Sequence, residues 1–183
     1  MAGIISMGAR FALITLLLSV AAAQPRQDLQ VLPILHEGTV LVSFRLDEAI
    51  TDDIRAAIHS GLAVRLVYTV DLRRTASAWF DRTIASAVVT ATVKYDTLTR
   101  RYQISRAVDG RIEWADSTDR EESAWAALTR DFARLALFPG VPLEQNAEYY
   151  VRVRAHSTPR IAAFIWPWAA DEAVGLAKFT FLR

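Results

Sequence analysis

The stretch "VKYDTLTRRYQISRAVDGRIEW", Val93 to Trp114, decides the fold. Antiparallel pairing of Tyr95 with Tyr102 sets Val93 opposite Ile104, so the apolar residues of both strands share one face. Asp96 then faces Arg101 as a cross-strand charge pair on the other side. The connecting "TLTR" has no Asn-Gly or Gly-x, which predicts a turn of four residues or more. The second connection admits two readings. A two-residue Asp109-Gly110 turn sets Ser105 against Trp114 and throws Ile104 to the opposite face. A three-residue loop, Val108 to Gly110 with Gly110 at positive φ, pairs Ile104 with Trp114 and keeps the apolar side continuous, and it is the expectation here. The segment reads as a three-strand meander whose basic residues are solvated strand faces.

Period-two patterning continues on both sides of the meander. Val40, Val42, Phe44 and Leu46 alternate in "TVLVSFRL", and Leu62 through Leu72 repeat the pattern in "LAVRLVYTVDL". The strand leading into the meander places Ala85, Ala87, Val89, Ala91, Val93 and Tyr95 on one face, mostly small residues that suit packing against something bulky. Tyr149, Val151 and Val153 mark a late strand, Phe179 and Phe181 a C-terminal one. Leu29 to Leu35 reads as an edge strand because of Pro33.

Two helices interrupt the strands. The first, 51–60, has Thr51 as N-cap, Asp52 and Asp53 at the positive end of the dipole and Gly61 at C′. Ile50, Ile54 and Ile58 form its inner face. The second, 118–136, opens on a capping box from Thr118 to Glu121 and repeats apolar residues at Trp125, Leu128, Phe132 and Leu135. About eight antiparallel strands, two packed helices and one core predict a mainly β, immunoglobulin-like two-layer β-sandwich.

The N-terminus reads as an export signal over residues 1–23. Arg10 supplies the positive region, Phe11 to Val20 the apolar one, and Ala21-x-Ala23 the cleavage pattern. An uncleaved anchor is the competing reading. Residues 24–183 form a single domain, expected in the periplasm or cell envelope. Zero cysteines exclude disulfides, thiol catalysis and thiolate metal sites. The 21 Lys+Arg balance 20 Asp+Glu, and removing Arg10 leaves 20 − 20 = 0, no footprint for nucleic acid.

"RRTASAWFDRTIASAVVTATVKYDTLTRRYQI" carries a resemblance. An arginine pair precedes Trp79-x-Asp81, and a long strand leads into Tyr95, Leu98 and Tyr102. An Ala/Leu-rich helix and a strand with "YYVRVRA" follow in order. This arrangement resembles the bacterial family called domain of unknown function 4390, from about Leu29 to Phe181, with "WPWAADEAVG" looking least like it. The resemblance implies an exported protein whose partner is a membrane sensor kinase or another envelope protein. It brings no catalytic residues. On the residues themselves, Leu98 is expected to fold over Tyr95 and Tyr102, and Asp81 to accept a hydrogen bond from Arg73 or Arg74.

Enzyme signatures are not found. His36, His59 and His156 are far apart in sequence, no Gly-x-Ser-x-Gly or metal-spaced pair occurs, and no phosphate cradle exists. No cofactor or metal is expected. "RIAAFIWPWAADEAVG" departs from core patterning, with Phe164, Trp166 and Trp168 around Pro167. These three aromatics, then Arg73, Arg74 and Trp79, are the candidate partner-binding residues, for an envelope protein or a membrane surface. The reading is a non-enzymatic interaction module. Its alternatives are a carrier of a small apolar ligand, held by Val89, Ala91 and Val93 under the second helix, and a hydrolase requiring a histidine beside a carboxylate or serine.

Overall fold

The computed structural model describes residues 29–47, 52–75, 81–158 and 173–182. The export signal, Thr51, Trp79 and the Phe164–Trp168 segment lie outside them. In chain order the elements are β1 (Leu29–His36), β2 (Thr39–Leu46), α1 (Asp52–His59), β3 (Val64–Arg74), β4 (Arg82–Asp96) and β5 (Arg101–Val108). Then follow β6 (Arg111–Thr118), α2 (Glu121–Thr129), β7 (Phe132–Pro139), β8 (Glu148–Thr158) and β9 (Ala173–Thr180). All pairings are antiparallel, in a three-stranded sheet ordered β1-β2-β7 and a six-stranded sheet ordered β6-β5-β4-β3-β8-β9. The fold is a two-layer β-sandwich, with nine strands among the described residues. β1 lies at a sheet edge, as its proline requires.

The inner face of the large sheet follows the alternation. Leu66, Tyr68, Val70 and Leu72 of β3, Ala87 to Val93 of β4 at every second position, and Val151 to Ala155 of β8 are buried against Val42, Phe44 and Phe132. Fully burying each large aliphatic side chain contributes roughly 1.5–3 kcal/mol. The small residues of β4 receive α2, whose Trp125 and Leu128 belong to the same core. Val89, Ala91 and Val93 are at most 1% exposed there. Tyr68 donates a 2.6 Å hydrogen bond to the Leu128 carbonyl, which joins the helix end to the sheet.

The first hairpin has the expected register: Tyr95 opposite Tyr102, Val93 opposite Ile104, Asp96 opposite Arg101 across a turn at 97–100. The second corrects the expectation. Val108 pairs with Arg111 across a two-residue Asp109-Gly110 turn, both residues at positive φ, so Ile104 faces Asp116 and not Trp114. A bulge repairs the face. Ala107 pairs with Ile112 but Arg106 with Trp114, so Glu113 is the extra residue. Trp114 therefore stays on the side of Tyr102 and Ile104, with the Arg106 guanidinium 5.6 Å from its ring.

α2 is the second correction. The expected helix 118–136 stops at Thr129, and Phe132 onward is strand. β2 explains the misreading, because Phe44, Val42 and Val40 oppose Phe132, Leu135 and Phe138. Two register shifts and Arg134 at φ 50° stretch the inward period of β7 from two residues to three. A spacing of three mimics a helix face. The capping box is also absent: α2 starts after Arg120 without a side-chain cap, and Thr118 Oγ1 accepts from the Arg120 N–H. In α1, by contrast, Gly61 sits at C′ with φ 84°, and the Gly61 and Leu62 N–H groups close a Schellman pair on Ile58 and Ala57.

Candidate functional site

The large sheet has a second face, built from the alternate residues of the same strands. On β3 these are Arg65, Val67, Thr69, Asp71 and Arg73, between Ser86 to Lys94 of β4 and Tyr150 to His156 of β8. Asp71 lies at the centre and is only 5% exposed. Its Oδ2 accepts from Arg152 at 2.8 Å and Arg154 at 3.3 Å, and its Oδ1 from Ser86 at 2.8 Å. Both neighbouring strands supply partners because Asp71 pairs directly with Ser86 on one side and Arg152 on the other. Burial pushes the Asp71 carboxyl upward. Hydrogen bonds from Arg152 and Ser86 and the two guanidinium charges outweigh it and hold the group below the usual carboxylate range.

The Asp71 carboxylate is shared by two arginines. Arg65 and Arg73 on β3 and Lys178 on β9 carry further cations on the same sheet. Arg73, Tyr150 and Lys178 form a row across three strands, with the Arg73 guanidinium 5.7 Å from the Tyr150 ring centroid. Arg73 donates to the Asp81 backbone carbonyl at 2.9 Å, while the Asp81 carboxylate accepts from the Tyr150 hydroxyl at 2.7 Å. Asp81 thus meets Arg73 through its main chain. Arg74 points to the opposite face and contacts Glu144.

A second cluster joins α1, α2 and the first hairpin. His59 Nε2 lies 3.0 Å from the Tyr102 hydroxyl and 3.4 Å from Glu121, and Arg55 donates to Glu121 at 2.7 Å. The His59 ring stacks on Tyr95. It takes the place expected for Leu98, which is 94% exposed at the hairpin tip. The Arg55 hydrogen bond lowers the Glu121 carboxyl, and burial raises the Tyr102 hydroxyl. The sequence brought neither cluster together. Strand alternation turns Asp71 away from Leu72, and Arg152 and Arg154 away from Val151 and Val153, but only the β3–β8 pairing makes them neighbours.

The family model described as a domain of unknown function, DUF4390, matches residues 29–159. That is most of the chain. The protein belongs to the DUF4390 family. The match spans β1 through β8, and the DUF4390 chain adds β9 beyond it, pairing Ala173 with Ala155 and Thr180 with Glu148. No curated protein and no solved structure matches this DUF4390 chain.

Of the candidate contact residues, Arg73 and Arg74 are among those described on the DUF4390 fold. Arg73 and Arg74 stand where β3 meets the start of β8. Phe164, Trp166 and Trp168 belong to the connection that leaves β8 after Thr158 and re-enters at Ala173. Among the described residues no group of three metal-ligating side chains occurs, and no helix is long and apolar enough to cross a membrane.

Proposed function

We propose that this DUF4390 chain is an exported, non-enzymatic interaction module of the bacterial envelope, recognising an acidic surface on a membrane or envelope protein. Sensor kinases are the partner class that the family resemblance suggests. The Asp71 cluster supports this reading. Asp71, Arg152 and Arg154 occupy the outer sheet face, where an ordinary solvated strand needs no buried carboxylate. Held in one geometry by Asp71, the Arg152 guanidinium presents a fork preorganised for a partner's carboxylate.

The hydrolase alternative asks for a histidine beside a carboxylate, and His59 stands beside Glu121. The oxygen nearest that imidazole belongs to Tyr102, whose hydroxyl burial makes a poorer acid. Ser60 donates instead to the Ala57 carbonyl. The cluster reads better as a tie between the helices.

In-cell cross-linking tests the reading. A photo-reactive residue at Val67, between Arg65 and Thr69 on the outer-face alternation, should capture an envelope protein. Arg152→Ala with Arg154→Ala should abolish capture, and Trp166→Ala with Trp168→Ala reports on the aromatic connection. Capture that survives the arginine pair at full yield sinks the proposal.

A further inference from the structure

At the end of β3 the sheet carries an arrangement that stability disfavours. Arg74 and Arg82 are direct cross-strand partners. Like charges set opposite each other repel. Glu144 contacts Arg74, while Arg82 pairs with no carboxylate among the described residues. Two cations against one anion leave a single positive charge.

These residues line a cleft of about 490 Å³ between β3–β4 and the connection from β7 to β8. That size suits a small organic ligand. Ile84, Val141, Pro142 and Leu143 form an apolar wall. The wall is pinned, because the Asn146 N–H donates to the Phe181 carbonyl at 2.9 Å.

Tyr149 supplies an independent observation. It lines the same cleft and is 1% exposed. Its hydroxyl oxygen accepts from the Glu144 N–H at 2.7 Å. Among the described residues nothing accepts the hydroxyl proton in turn. A buried donor left unspent is costly and marks a place where an acceptor belongs.

We propose that this cleft binds a monocarboxylate on an aliphatic stem, its oxygens between Arg82, Arg74 and the Tyr149 hydroxyl and its stem along Ile84, Val141 and Leu143. One uncompensated positive charge matches one carboxylate. A phosphate monoester, with a charge of roughly −1.5 to −2, overcompensates it. The stem explains why the wall is apolar. The site lies apart from the outer sheet face, so it stands or falls separately from the docking reading above.

Calorimetric titration of the full chain at low salt tests this with two carboxylate sources. One is octanoate, with octanol as the neutral control. The other is a short peptide ending in leucine, as free acid and as amide. At least one free acid should saturate the site. Arg82→Gln, at an exposed position, should leave the melting temperature unchanged and weaken binding by about tenfold, the worth of one charge-assisted hydrogen bond. Tyr149→Phe should weaken it as well. Octanoate binding points to free aliphatic acids, and binding of the peptide acid alone to a protein C-terminus. Absence of saturation by both up to about 10 mM, a limit of weak millimolar affinity, overturns the proposal. So does equal affinity in Arg82→Gln, or equal binding of octanol and the peptide amide.

Discussion

Gly175 on β9 is the position where one methyl group should do the most damage. The residue pairs with Val153 and turns toward the interior, where β1 crosses it. A Cβ there would lie 2.6 Å from Leu29 Cδ2 and 2.8 Å from Val31 Cγ2, and closer still to the Leu29 carbonyl oxygen. Side chains can swing aside, but that oxygen cannot. It belongs to the backbone of β1, which is fixed by the pairing of Leu29 with Leu46. Restricting the unfolded chain favours alanine by ~0.4–1 kcal/mol. Overpacking against fixed backbone costs about 1–3 kcal/mol or more, and this geometry belongs at the upper end. Gly175→Ala should therefore lose about 2 kcal/mol net. With a urea slope of roughly 1–3 kcal/mol per molar, the unfolding midpoint falls by about 1 M. In the Gly175→Ala background, Leu29→Ala should recover only part of the coupling in a double-mutant cycle, since it removes Cδ2 and leaves the oxygen. A Gly175→Ala midpoint equal to or above that of the parent would refute the packing of β1 on β9.

Tyr68→Phe strands the Leu128 carbonyl inside the core and should cost about 1–3 kcal/mol in urea unfolding. Asp71 has a depressed folded pKa, so its contribution is present above the unfolded value of about 3.9 and is lost as pH falls through the folded one. Stability measured against pH should show that acid loss in the parent and a flatter acid limb in Asp71→Asn. Leu98→Ser should stay within about 0.5 kcal/mol of the parent, because the side chain touches little at the exposed hairpin tip. Glu121→Gln breaks partly exposed contacts to Arg55 and His59, and thermal melts should show a loss under about 1 kcal/mol.

Strand alternation was legible wherever the backbone kept a period of two. The inner faces of β3, β4 and β8 and the Tyr95–Tyr102 register follow from it directly. Misreadings occurred where bulges change the period. Glu113 shifts one hairpin, and Arg134 helps turn Phe132, Leu135 and Phe138 into an apparent helix face. No propensity marks those residues, since the bulges are decided by what β2 and β5 offer across the ladder. The Asp71 cluster escaped for a related reason. Its two arginines lie 81 and 83 positions from Asp71 along the chain, and only topology converts that separation into contact.

The same topology constrains how a partner can use the candidate contacts. Arg73 pairs with Tyr150 near the start of β8, and Arg152 and Arg154 follow two and four residues further along the same face of that strand. At about 3.3 Å per residue, these positions lie within roughly 13 Å of one another along β8. A partner that engages Arg73 on the outer face therefore also meets Arg152 and Arg154 where they grip Asp71. The ion cluster then forms the part of the footprint where truncation is felt most, and Arg73 its rim. Loss of capture from the arginine pair, with only weakened capture from Arg73→Ala, is the pattern this geometry requires.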